Sequence, residues 1–173
     1  MTMATSDGEK IEYLTKHLAY ERQMLGYTFS QLHSQGNQLA WNAHFESFCI
    51  HARNLYCFLN NRKGSATLRA CDFSPAWAGR SNNQILQNMD TFIFHLSAGR
   101  LKRKRFDFGQ VQAIGMWLDG QWASWANELQ DPFNDLTDGK PACVNGEARP
   151  RIVSSMTTAS SERLSDKLQL DHR

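Results

Sequence analysis

The sequence predicts an all-α protein: an up-and-down four-helix bundle followed by a polar C-terminal tail. Two observations carry that prediction. Before residue 131, apolar residues recur at three- and four-residue steps in four separate segments, the period of a helix with one buried face. After Pro132, Gly, Pro, Ser, Thr and charged residues dominate and bulky apolar side chains become rare, too few to order that stretch by burial. The 173 residues, 41% of them hydrophobic, suffice for one core and hardly for two. The bundle is therefore assigned to residues 1–131 and a largely disordered tail to 132–173.

The first helix is expected over 8–34, with Ile11, Leu14, Leu18, Leu25, Phe29 and Leu32 on one face. Asp7 is the expected N-cap, and Glu9 suits the positive end of the helix dipole. Gly36 and Asn37 end this helix, and Asn37 can cap the next. That second helix, 38–61, carries Trp41, Phe45, Phe48, Ala52, Leu55 and Leu59 within about 80° of arc on a helical wheel. Ile50 and Cys57 lie on the opposite side, and Cys49, Tyr56 and Phe58 fill the flanks. A helix apolar nearly all round is buried on several sides, so this one is expected at the centre.

Arg62, Lys63 and Gly64 close the second helix. The connection 64–80 is longer than the roughly two to eight residues usual between packed helices, and its Phe73 and Trp77 argue that it packs over a bundle end. A third helix is expected over 82–98, with Ile85, Met89, Phe92, Ile93 and Leu96 inward. The fourth, 107–130, has Val111, Ile114, Leu118, Trp122, Trp125 and Leu129 on one stripe, and Asp131-Pro132 stops it. Gly115 and Gly120 either weaken it by about 1 kcal/mol each or let a neighbour approach closely. Within the tail, Leu164, Leu168 and Leu170 mark a short helix over 161–170.

Several function classes fall away on composition. No apolar run approaches the about 20 residues of a membrane span. The first ten residues carry acids and no apolar core of a secretory signal, so a cytoplasmic address is expected. Cys49, Cys57, Cys71 and Cys143 form no C-x-x-C pair and read as packed free thiols. No Gly-rich phosphate loop, G-x-S-x-G elbow or Cys-His nucleophile pattern is present, and no cofactor is expected. No metal is expected either: His44 and His51 lie about 10.5 Å apart along the helix axis, too far to share one ion, and there is no H-E-x-x-H.

The candidates for chemistry are histidines and arginines. His51 and Arg53 sit two positions apart, hence about 200° apart around the helix, so each needs a partner from another element. The alternatives are a satisfied core histidine or an interhelical salt bridge on one side, and a catalytic or ligand role on the other. His95 and Arg100, at the end of the third helix, are either stabilisers of its C-terminal dipole or an acid–base and a cation. Between Arg100 and Arg105 every residue but Leu101 is basic, against a formal net charge of only +2 for the chain. Lys102, Arg103, Lys104 and Arg105 form either a solvated helix end or a phosphate-binding segment. Phe106 and Phe108 beside them either anchor the turn or stack on single-stranded nucleic acid.

The stretch 45–59, with Phe45, His51, Arg53, Asn54 and Leu59, followed by Asp72-Phe73 with Trp77 and by His95-Leu-Ser-Ala-Gly-Arg100, resembles small uncharacterised bacterial helical proteins carried on mobile elements. Its layout is also similar to the HEPN superfamily of helical bundles, many of them ribonucleases in toxin–antitoxin and phage-defence systems. The likeness spans roughly residues 40–125. Arg53-Asn54 matches the first half of the HEPN arginine–histidine motif, while Phe58, Leu59 and Asn60 stand where its histidine would follow. The resemblance implies a bundle that binds RNA or a protein partner in a defence or toxin–antitoxin setting. The alternatives are a metal-independent ribonuclease using His51 or His95 with Arg53 or Arg100, and a non-catalytic module that homodimerises through helix faces.

Overall fold

A Ser6 hydroxyl starts the first helix, one residue ahead of the expected Asp7. In the computed structural model, which describes residues 5–34, 36–62, 68–89, 107–137 and 142–143, Ser6 Oγ accepts from the Glu9 N–H at 3.3 Å and the Glu9 carboxylate accepts from the Ser6 N–H at 2.8 Å. This reciprocal capping box satisfies two donors that a helix start otherwise leaves bare. It also holds the Glu9 carboxyl below its ordinary pKa, chiefly through the Ser6 backbone bond. All regular structure among the described residues is helical.

The first rod is not uniformly α. Helix α1 (Asp7–Glu12) passes into a π-helical stretch, Tyr13–Leu18, and then into α2 (Ala19–Ser34). The backbone stays helical through both junctions, with φ/ψ of −59/−44° at Tyr13 and −60/−42° at Ala19. Leu14, Leu18, Leu25, Phe29 and Leu32 are buried as expected. Thr28, also buried, donates its hydroxyl back to the Met24 and Leu25 carbonyls, so its burial leaves no bare polar group.

Helix α3 (Gln38–Leu59) begins at Asn37, whose side chain accepts from the Leu39 N–H at 2.8 Å. It packs on α2, α4 (Asn83–Met89) and α5 (Phe108–Ala126), which makes it the central element. Phe48, Cys49, Ala52 and Tyr56 are fully buried. It is not buried all round, however: Ile50 is 44% exposed. The helix ends two residues early, where Asn61 takes φ of 53°. Its side chain donates to the Trp77 carbonyl and accepts from the Cys71 N–H, so Asn61 both stops α3 and pins the following connection.

That connection packs, as its Phe73 and Trp77 suggest. Both are buried, and Trp77 Nε1 donates to the Leu59 carbonyl at 2.7 Å, one of the acceptors a helix C-terminus leaves open. A 3-10 turn, Ala70–Asp72, is held by Trp125 Nε1 donating to the Ala70 carbonyl. Of the third expected helix, Asn83–Met89 falls among the described residues, and the remainder lies outside them. Helix α5 starts with a second capping box, Asp107 with Gln110, and buries the whole expected stripe from Val111 to Trp125. It ends at Ala126, short of Asp131-Pro132, although Leu129 is still buried beyond it.

Among the described residues, packing continues past residue 131. Phe133 is buried against Phe73, with ring centroids 5.4 Å apart. Ala142 and Cys143 lie across α2 and α5, where their N–H groups donate to the two Asp119 carboxylate oxygens at 2.7 and 2.9 Å. Gly26 and Gly115 make room for them: a Cβ on Gly26 would stand 2.5 Å from the Ala142 carbonyl oxygen, and one on Gly115 2.8 Å from the Cys143 Sγ. Gly115 is thus a close-approach site, while nothing approaches Gly120. The short helix expected over 161–170 lies outside the described residues. Among the described residues, no helix is long and apolar enough to cross a membrane.

Candidate functional site

A cavity of about 600 Å³ opens between the first rod and α3. Tyr13, His17 and Glu21 line it from the rod, Arg53, Asn54 and Cys57 from α3, and Arg62 and Arg69 from the chain beyond. The π-helical stretch forms the first wall. The Tyr13 and His17 rings stand 5.6 Å apart on the same flank, the i, i+4 contact that Phe29–His33 and Trp41–Phe45 make on ordinary α-helix. Tyr13 in turn leans on Phe58 and Phe73, so that wall is anchored in the aromatic core.

Glu21 is the carboxylate among the lining residues, and it is held from both sides. His51 Nδ1 lies 2.7 Å from its Oε2, and Asn54 Nδ2 donates to its Oε1 at 3.2 Å. An ionised carboxylate only accepts, so His51 presents its Nδ1–H. The His51 residue is 8% exposed, with the Tyr20 ring edge-on at 5.7 Å. It stands behind Glu21 rather than on the cavity wall. Arg53 is on the wall. The two α3 candidates therefore reach one site by different routes, Arg53 directly and His51 through a carboxylate on α2.

Positive charge dominates the lining, which carries three guanidinium groups against that one carboxylate. Arg69 is partly neutralised by Asp72, whose oxygens lie 3.3 and 3.4 Å from its side-chain nitrogens; that neighbour holds the guanidinium above its already high pKa. Arg62 also sits over the Tyr56 ring at 5.7 Å. Tyr13 stays a neutral phenol: burial raises its pKa, and the Glu21 charge adds to this. A guanidinium offers forked N–H donors that match phosphate oxygens. The arrangement can hold a phosphorylated ligand of moderate size between cations and aromatic walls.

Of the residues singled out from the sequence, Arg53 lines this cavity and His51 supports it. His95, Arg100, Lys102, Arg103, Lys104 and Arg105 lie outside the described residues. His44 is half-buried with its ring edge-on to Tyr27, away from the site. Sequence reasoning missed His17, Glu21, Arg62 and Arg69. The first two carried a usable signal, because Tyr13, His17 and Glu21 repeat every four residues on the polar flank of the first helix. Arg62 reads only as the end of a helix, and Arg69 sits where no period operates.

A second polar cluster lies on another face of α2, about 100° round from Glu21. Arg22 stacks over the Trp122 ring at 4.3 Å, near Asp119 and the Ala142–Cys143 strap. Burial raises the Asp119 pKa, opposed by the two strap N–H groups and by Arg22. Burial likewise pushes the Cys49 and Cys143 thiols up, so both stay protonated and unreactive. Comparison of the chain with protein families, with curated proteins and with solved structures finds no match.

Proposed function

We propose that this chain is a HEPN-like four-helix bundle that binds RNA, its phosphates held in the cavity between the first rod and α3. The observation that carries the reading is the convergence of Arg53, Arg62 and Arg69 with His17 on one concave surface. Those residues come from three parts of the sequence, and a solvated charge face does not need a cavity to gather them. Phosphate is the ligand chemistry that three forked donors fit, and aromatic groups beside them suit unstacked bases. The basic segment 100–105 extends the same chemistry in sequence. A defence or toxin–antitoxin role in the bacterial cytoplasm is the setting this reading favours over a purely dimerising module.

The test is fluorescence anisotropy with a labelled single-stranded RNA at low salt. Replacing Arg53, Arg62 or Arg69 singly with Ala is expected to weaken binding and to make its salt dependence shallower by about 0.7 for each phosphate no longer neutralised. Wild-type protein without RNA affinity at low salt ends the reading and leaves a protein-binding module in its place.

One observation favours a second reading, metal-independent cleavage: His17 shares the cavity with Arg53. The imidazole could take the proton of a ribose 2′-hydroxyl, whose oxygen attacks phosphorus as the bond to the 5′-oxygen breaks. The departing 5′-oxygen takes a proton from water, the imidazolium returns its own proton to solvent, and a guanidinium neutralises the developing phosphorane charge. Products ending in 2′,3′-cyclic phosphate, formed in the presence of a chelator and abolished by His17→Ala while binding persists, are the expected signature. Intact RNA after prolonged incubation leaves binding alone.

A further inference from the structure

A carboxylate is a poor neighbour for phosphate, and Glu21 stands among three guanidiniums that otherwise suit an anion. It is also not free to swing away. His51 holds one of its oxygens and Asn54 the other, both from the rigid central helix. Each carboxylate oxygen accepts up to two hydrogen bonds, so each keeps one site beyond these two bonds. The cavity thus offers cations for phosphates and, fixed beside them, an acceptor that a ligand donor can satisfy.

Resting on the RNA-binding reading, we infer that Glu21 is the specificity-determining residue of this cavity and selects ribose over deoxyribose by accepting the 2′-hydroxyl. In RNA that hydroxyl is a donor one sugar away from the phosphate. An acidic side chain that accepts a ribose 2′-hydroxyl is an established form of sugar recognition, and this hydroxyl is what distinguishes RNA from DNA at a given site. Deoxyribose would leave the carboxylate facing a CH2 group with a phosphate close by. The ribose ligand satisfies the acceptor and offsets the repulsion; the deoxyribose ligand suffers the repulsion alone. His51 and Asn54 act as positioning residues, because they fix where the carboxylate points.

The test compares four oligomers of one sequence on the intact chain: RNA, DNA, 2′-O-methyl RNA and 2′-fluoro RNA. Wild type is expected to bind RNA about tenfold or more tighter than DNA, the ratio that one net hydrogen bond to a charged group supports. The 2′-O-methyl and 2′-fluoro oligomers both lack the donor and are expected to fall with DNA, although the fluoro oligomer keeps the sugar pucker of RNA. Glu21→Ala, and Glu21→Gln where Ala disturbs folding, should bring the RNA-to-DNA ratio toward one by raising DNA affinity as well as lowering RNA affinity. A carboxylate that only tethers α2 to α3 would change both affinities together and leave the ratio alone, which overturns the inference. RNA and DNA bound equally by wild type, or 2′-fluoro RNA bound as tightly as RNA, overturns it too while leaving RNA binding intact. No binding of RNA by wild type overturns both, and the unmodified oligomer reports that separately.

Discussion

At the scale of single residues, burial decides which substitutions matter. Phe48 is fully buried and packs on Phe29, with ring centroids 6.2 Å apart. Phe48→Ala is expected to cost roughly 3–5 kcal/mol, the transfer energy of the deleted ring plus that of the cavity left behind, measured by urea denaturation. A loss below about 1 kcal/mol would mean that the neighbours of α3 collapse into the gap. Asp119 gives a prediction in pH. Burial raises its pKa in the folded chain above the ordinary carboxylate value, so the folded state holds the proton more tightly than the unfolded one. Its contribution to stability is then fully present below the ordinary value and disappears as pH rises through the folded one. Asp119→Asn removes that dependence, so the variant should gain on wild type as pH is raised across this window. The opposite trend in denaturation midpoints would show that the two strap N–H groups and Arg22 outweigh burial.

At the scale of elements, the strap and the π-helical stretch differ most from what a linear reading expects. Ala142 and Cys143 cover Gly26 and Gly115, and pair with Asp119. Truncation after residue 137 exposes that seam and leaves the half-buried Asp119 carboxylate without those two donors. We expect a cost of about 1–3 kcal/mol and a melting temperature lower by roughly 2–12 °C, read by circular dichroism. An unchanged melting temperature would show that the strap rests on the bundle without stabilising it. Truncation after 132 should cost more, since it also removes Phe133 from the face of Phe73. Polar composition conceals this because only isolated apolar residues are used, and burial needs a surface to receive them rather than a period to announce them. The π stretch is hidden for a related reason: Ile11, Leu14 and Leu18 keep helical spacing whether the turn is α or π.

For the whole molecule, the cavity and the basic segment 100–105 make a joint prediction. Replacing Lys102, Arg103, Lys104 and Arg105 with Ser should weaken RNA binding and flatten its salt dependence by about 0.7 for each phosphate that the segment no longer neutralises. Thermal stability should hardly change, because solvated charges contribute little to folding. If segment and cavity hold separate phosphates of one strand, the effects of this variant and of Arg53→Ala should add in the double variant. A full effect of the segment with none from the cavity arginines would move the binding surface away from α3.

Helical class, the inward stripes of the first, second and fourth helices, the Asn37 cap and the packing of Phe73 and Trp77 all followed from the sequence. Helical period and cap chemistry are local, written within a few residues of where they act. The site followed only in part. Arg53 and His51 were legible as ionisable residues in the helix with the broadest apolar surface, but their meeting point was not, because Glu21 lies 30 positions before His51. Arg69 reaches the same cavity from a connection without a period. Which polar side chains share a surface depends on how far each helix is rotated and where each loop lands. Packing of the whole chain sets those quantities, and no window of the sequence contains them.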